Sequence, residues 1–410
     1  MDVKKKNWSF VKVLLRDALL CASFIYFVLL GIQLLPFNSN WFQPASNAFK
    51  DFDWSDIYYS QIKNLAGENI QDQQIVVVNI GDADRETIAN TLLKIKEYEP
   101  EVLGLDIIFN TDKDSATDKL LDSAIQCFGK QIVVACYADS TLGNNIYSIQ
   151  PHAIPKLSDD DNLGYVNFIG DENQTIRSYY KIQNFRERKI SSFAFNNFIK
   201  FKNSEKSSVY KELNTSVESI IPYEAYSEHY TTLSTQEILN ASVDLNLLKG
   251  KIVLIGFCGS ENGMTVIDDK HFTPLNENYA GKSLPDMYGI YIHANIISGY
   301  LNNFKIQAPS RILQIIACIL FIALFLLLYL YSESQEHVWQ NVVEILLQLF
   351  FGLIILILAI YFFSSFGIKW NIGEMIAAIA LAEPLVGVYR IVIYYLSKVY
   401  SFKSIFIDEE

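Results

Sequence analysis

Four long apolar runs constrain this chain more than any other feature. One lies near the N-terminus, at residues 13–35, and three crowd the C-terminal hundred residues, at 312–331, 345–363 and 372–395. Each is long enough to cross a hydrocarbon core of about 30 Å as a helix. Between the first and second runs lie about 270 residues of polar, mixed α/β sequence. The pattern predicts a water-exposed domain tied to a membrane at both ends.

The flanks set the expected orientation. Lys4, Lys5, Lys6, Lys12 and Arg16 precede or open the first run, and Asp51, Asp53 and Asp56 follow it. Positive charge stays on the cytoplasmic side. Four spans return the chain to that side, in keeping with Arg390, Lys398 and Lys403 at the end of the last run. A cleaved signal peptide is the rival reading of the first run. The run exceeds a typical apolar signal core, and the stretch Gln33-Leu34-Leu35-Pro36 offers a poor small-residue cleavage site. A retained anchor is therefore expected. The predicted division is a cytoplasmic N-terminus (1–12), a span (13–35), an extracytoplasmic domain (36–308), three spans (309–331, 345–363, 372–397) and a short cytoplasmic tail (398–410). This places the protein in a membrane, with the large domain extracytoplasmic and the bilayer as its first partner.

Charge and cysteine usage exclude some classes. The net charge of −12 disfavours nucleic acid as a partner. Five cysteines without close spacing do not form a disulfide scaffold or a zinc site. A Cys127–Cys136 bridge is conceivable, but buried free thiols are the expected state. No cofactor is identified by the sequence.

Within the outer domain, the β-branched run 75–80 reads as a buried parallel strand. A helix with apolar spacing follows over 85–98, a second strand over 102–106, a second helix over 117–128 and a third strand over 132–135. That β-α-β-α-β order predicts an α/β, three-layer domain with a mainly parallel sheet. Segments 164–168 and 176–182 read as a hairpin, followed by a helix over 192–199 opened by Ser191. Residues 201–246 carry weak periodicity. A buried strand returns at 251–256, a long loop spans 259–286, and a helix is expected over 289–301.

Candidate sites follow from position. Ligands of open parallel sheets bind beyond the strand C-termini, where Asp82, Asp84, Asp106 and Glu261 fall. These carboxylates suit a cation, a basic ligand group or the backbone amides of adjacent loops. The pair Gly256 and Gly259 lacks the Lys-Ser/Thr of a phosphate loop. His293 has no second histidine at zinc-protease spacing, so His293, Asn295 and Arg177 are read as packing residues. No nucleophile elbow or metal set appears, and no enzymatic activity is expected. In the fourth run, Glu383 and Pro384 stand out. A mid-span carboxylate costs roughly 2.5–3.5 kcal/mol, and proline at 384 frees the carbonyl of Ala380. The pair suits a partner helix, a relay of motion or proton transfer, with Gln314 and Glu344 as polar neighbours; a neutral acid facing another span is the alternative.

Five segments in order resemble the CHASE2 family. Residues 75–82 resemble its opening "VVVVxID", and Gly104-Leu105-Asp106-Ile107-Ile108-Phe109 its "GFDxxF". Gly164-Tyr165-Val166-Asn167 with Ile176-Arg177 is similar to its Gly-x-x-Asn and Val-x-Arg elements. The strand at 249–256 and Gly289-Ile290-Tyr291-Ile292-His293-Ala294-Asn295, similar to "GVxIHAN", complete the set. The resemblance implies an extracytoplasmic sensory domain with one span before it and three after it. Two departures stand out. The turn reads Gly81-Asp82-Ala83-Asp84 where the family has Asp-Asp/Glu-x-Ser. The chain also ends about ten residues beyond the last span, where family receptors carry an output module. The expectation is a sensor acting through a separate membrane or envelope protein, with a homodimer as one expected assembly. The alternative is a structural or accessory subunit of an envelope complex.

Overall fold

A computed structural model describes residues 2–33, 53–63, 73–142, 146–149, 160–169, 175–185, 188–202, 218–260, 269–276, 284–333, 339–400, 402 and 404–406. The chain divides into two compact units, Ala48–Ile306 and a helical unit formed by Met1–Asn47 with Gln307–Glu410.

The first unit is built on fourteen strands among the described residues. They are β1 (Ile75–Asn79), β2 (Val102–Asp106), β3 (Ile132–Cys136), β4 (Ala138–Leu142), β5 (Ile146–Ile149), β6 (Leu163–Tyr165), β7 (Ser178–Tyr180), β8 (Ile182–Phe185), β9 (Arg188–Ser191), β10 (Glu218–Ile220), β11 (Thr231–Ser234), β12 (Ile252–Gly256), β13 (Lys270–His271) and β14 (Met287–Tyr288). Six form one parallel sheet in the order β11-β1-β12-β2-β3-β6. The rest make two-stranded antiparallel ribbons.

The uninterrupted Ile-Val-Val-Val and Ile-Val-Leu-Ile runs of β1 and β12 are apolar because both faces of the sheet are covered. Odd and even residues face opposite ways. Val76, Val78, Leu103, Leu105, Val253 and Ile255 meet α3 (Arg85–Lys96), α4 (Ser115–Gln126) and α6 (Thr235–Leu239) through Ile88, Leu92, Leu121, Ile125 and Ile238. The other face carries α5 (Phe193–Phe201) on β2 and β3, and α7 (Gly289–Leu301) on β1 and β12. The sheet therefore lies between two helical layers, as the strand and helix order predicts. A short helix, α2 (Trp54–Ile57), precedes β1.

Two glycines permit the second layer to close. A methyl group on Gly104 would lie 2.7 Å from Leu254 and 2.8 Å from Phe193, and one on Gly164 would lie 2.6 Å from the Phe193 Cα. The latter is backbone, which cannot rotate away.

Two local expectations change. Residues 164–168 and 176–182 do not form a hairpin. Here β6 adds in parallel to β3, and β7 pairs with β10, leaving one antiparallel bridge between Ile169 and Ser178. The open edge of β3 offers β6 a buried non-local partner, which local pattern does not reveal. The cap of α5 is Ser192, whose hydroxyl accepts from the Phe195 amide, rather than Ser191. The unassigned region 201–246 supplies β10, β11 and α6 among its described residues. The described cysteines are free, and Cys127 is exposed rather than in the core.

The helical unit contains α1 (Asp2–Gln33), α8 (Arg311–Glu333), α9 (Gln340–Phe366), α10 (Gly373–Ala380) and α11 (Ala382–Tyr400). Three segments are long and apolar enough to cross a membrane: Val11–Ile32, Arg311–Glu333 and Gln340–Phe366. The last two helices make a fourth span only if counted as one, since they bend by 67°. The fourth run is thus broken at Leu381, in keeping with the kink that Pro384 permits. Pro384 has no N–H to give Ala380, and the ladder resumes with the Leu385 amide donating to Leu381 at 3.2 Å.

Polar groups in this unit are mostly paired internally. Glu374 accepts from the Tyr26 hydroxyl (3.0 Å) and from Arg311 (2.8 Å). Asp17 accepts from Ser404 Oγ and the Ile405 amide, both at 2.8 Å. Gln314 donates to the Pro309 carbonyl (2.8 Å), and Glu344 accepts from Gln340 (2.9 Å), so neither is bonded to Glu383. Glu383 and Pro384 lie on an exposed face of α11.

Candidate ligand crevice at the switch strand

The sheet order places a topological reversal at β12. The chain leaving β1 and β2 enters α3 and α4 on one face. The chain leaving β12, which lies between them, passes through β13 and β14 into α7 on the other face. Such a reversal, where the departing segments part on both sides of one strand, is the usual ligand position in open sheets of this kind.

Gly256 ends β12 and brings the walls together. A methyl group there would lie 2.8 Å from Ile290 Cδ1 and 3.2 Å from Asp106 Cβ. Asn79, ending β1, pins the next loop: its Oδ1 accepts from the Cys258 amide (2.8 Å) and the Gly81 amide (3.0 Å), and its Nδ2 donates to the Gly259 carbonyl (2.9 Å). Gly259 holds φ at +113°, with the Tyr288 hydroxyl 3.0 Å from where a Cβ would sit. No larger side chain fits that backbone easily.

Asp106 is the innermost carboxyl. It is half-buried and makes no side-chain hydrogen bond to a described residue. Burial first, then the nearby Asp269 carboxylate, push its pKa up to about 7. Cys258 is pushed up to about 12, chiefly by burial, and stays a thiol. The Tyr291 hydroxyl shares a 2.9 Å hydrogen bond with Thr232.

Two imidazoles share the far wall. His271 meets the edge of Phe168 at 5.6 Å between ring centres, and His293 packs on the same Phe168 at 4.7 Å and on Phe193 at 5.1 Å. His293 is 3% exposed, and burial followed by the neighbouring His271 lowers its pKa to about 3. It is neutral at any physiological pH, and its Nδ1 has no hydrogen-bond partner among the described residues. Burial also lowers the pKa of His271.

The other strand-end acids have separate placements. Asp82 is exposed and accepts from Ser260 Oγ at 2.7 Å, tying the β1 loop to the β12 loop. Asp84 caps α3, accepting from the Thr87 amide at 2.8 Å, and that amide holds its carboxyl below the usual range. Glu261 lies outside the described residues. Of the three described acids named from sequence, Asp106 is the one partly buried at its strand end.

Asn295 and Arg177 hold the scaffold. Asn295 is fully buried; its Oδ1 accepts from the Glu224 and Ala225 amides at 2.9 and 3.0 Å, and its Nδ2 donates to the Ala225 carbonyl at 3.0 Å. Arg177 pairs through two nitrogens with Asp56, at 3.0 and 2.5 Å, linking α2 to the start of β7. Sequence reasoning passed over Asp269, Tyr288 and Tyr291. The tyrosines flank the first turn of α7, and polar aromatics at a strand-to-helix junction were the available signal. Asp269 has none, being one acid in a polar loop. Among the described residues, no group of three His, Cys, Asp or Glu side chains is arranged to hold a metal ion.

No curated protein and no solved structure matches the chain. The model of the CHASE2 domain matches residues 26–330. That match takes in the whole sheet unit, the switch strand and α7, and it agrees with the five motifs in order; the chain belongs to the CHASE2 family of extracytoplasmic sensory domains.

Proposed function

We propose that this protein is a non-enzymatic, multi-pass sensor of a bacterial inner membrane. Its sheet domain responds to a ligand or envelope state, and the response reaches a separate membrane or envelope protein through the spans. One observation carries this reading. Ile290 in the first turn of α7 packs with Asp106 on Gly256 at the end of β12, and the same helix ends at Leu301, ten residues before α8 starts at Arg311. A displacement of α7 by an occupant would be delivered along the chain to a candidate span.

Glu383 supports the partner. It makes no ion pair or side-chain hydrogen bond to a described residue and lies exposed on α11, unlike Glu374 and Asp17. A carboxyl on an apolar helix is costly in lipid and gains most from a donor on another chain. Native isolation in mild detergent, with copurifying proteins identified by mass spectrometry, tests this. A stoichiometric partner with the wild type that is lost with Glu383→Gln is the expected result. Recovery of the protein alone refutes coupling through a partner.

A further inference from the structure

We propose that the helical unit holds one acyl chain of a bilayer phospholipid in an apolar cavity between α8, α9 and the start of α10. This rests on the multi-pass reading and adds a ligand site among the spans.

The cavity has a volume of about 140 Å³. Ile355 and Ala359 of α9 and Ile372 and Met375 at the start of α10 form its floor, at 3%, 2%, 5% and 8% exposure. Ala317 on α8 lines another wall. Apart from the indole of Trp370, every side chain that lines it is a hydrocarbon or a thioether.

A void of this size is unusual in a folded interior, where few gaps exceed one water molecule. Left empty, it destabilises in proportion to its volume, because the walls lose their contacts on that side. Water does not fill it, since a water needs at least two polar partners and the lining offers a single indole. Apolar cavities of roughly 150 Å³ stay dry and take up apolar molecules instead.

The surroundings decide which apolar molecule enters. Leu358, at the cavity, is 42% exposed, so the cavity opens sideways from α9 rather than being sealed. Both α8 and α9 are long and apolar enough to cross a membrane. The medium at the mouth is then hydrocarbon, and the molecules in excess there are acyl chains.

The depth also suits a phospholipid. The turn between α9 and α10 is stitched to the segment before α8: the Gln307 amide donates to the Gly367 carbonyl (2.8 Å), and the Lys369 amide donates to the Gln307 carbonyl (3.0 Å). Trp370, in that turn, therefore lines the cavity from the end where α8 begins. Ala317 lies six residues beyond Arg311, about 9 Å along the helix. Arg311, 48% exposed, and Lys369 sit at that same end, the level of a phosphate headgroup, with Trp370 at the interfacial depth that indoles favour. A chain can enter the cavity while its headgroup stays at the surface.

The test is tryptophan fluorescence of the full-length protein in bile-salt micelles, whose fused rings are larger than the cavity. The probe is a phosphatidylglycerol carrying bromine on its acyl chains, a contact quencher. Quenching should saturate at one lipid per protein, and Trp370→Phe should remove the saturable part. Ala359→Leu and Ala317→Leu each fill the cavity; each should abolish saturable quenching and raise the melting midpoint in the absence of lipid. Unbrominated lipid at about a hundredfold excess over Kd should raise the wild-type midpoint by about 5 °C and leave the filled variants unchanged. The proposal is overturned if quenching never saturates, if it persists in a filled variant that still melts cooperatively, or if the lipid-free midpoint rises with protein concentration, which would put a second copy in the cavity. The multi-pass reading fails on a different result, extraction of the full-length protein from membranes without detergent.

Discussion

Asp106→Asn should stabilise the ligand-free protein by an amount that grows from about pH 4 to about pH 7 and is largest above it. The carboxyl moves from an ordinary 3.8 when the chain is unfolded to about 7 when folded, through burial and the Asp269 charge. Below 3.8 both states hold the proton and the group contributes nothing to the pH dependence. As pH rises from 3.8 to about 7, the unfolded chain ionises while the folded one does not, so stability falls across that window and levels off above it. At about 1.4 kcal/mol per pH unit the full loss is about 4 kcal/mol. Asp106 keeps part of its surface in solvent, which reduces the expected effect to about 2 kcal/mol. Asparagine keeps the shape and discards the ionisation. With a domain of this size, the variant should melt about 5 °C higher than wild type at pH 8. The difference should shrink steadily toward pH 4. Fluorescence-detected melting of both proteins in the same micelles across that range reads the effect. A variant no more stable than wild type at pH 8, or a constant difference at all pH values, refutes an uncompensated buried carboxyl at the strand end.

Three further substitutions test the scaffold. Gly164→Ala drives a methyl group to 2.6 Å from the Phe193 backbone and should cost about 3 kcal/mol, read as a lower denaturation midpoint. Asn295→Ala removes the clamp on residues 224 and 225 and strands the buried Ala225 amide and the part-buried Glu224 amide, for a loss of about 2 kcal/mol; hydrogen exchange at those amides should rise with it. Pro384→Ala restores a donor to the Ala380 carbonyl and should reduce the 67° bend. Spin labels at the exposed residues Ile376 and Val399 should then move apart, whereas an unchanged distance would place the cause of the bend elsewhere.

Much of this protein was legible in its residues. The apolar runs of β1, β2, β3 and β12 announce strands covered on both faces, and the β-α-β-α-β order leads to a parallel sheet. The helix over 289–301 and the clustering of acids at strand ends also follow from local pattern. Motif order carried the family. Local pattern failed where a segment's partner is far along the chain. The three-residue β6 looks like half of a hairpin until the edge of β3 is available, and β10 and β11 are too short and polar to declare themselves. The same limit applies to the crevice. Strand ends marked Asp82, Asp84, Asp106 and Glu261 together, with Asp106 the innermost because it closes its own apolar strand, but gave none of them a partner. Tertiary structure separated them: Asp84 turns to cap α3, Asp82 reaches Ser260, and Asp106 is left beside Asp269 and the start of α7. Periodicity and composition are set by each segment's own burial, so the sequence reports them directly. A carboxyl's charge state and unmet hydrogen bonds depend on which distant segments surround it, and only the insertion of β12 between β1 and β2 decides that.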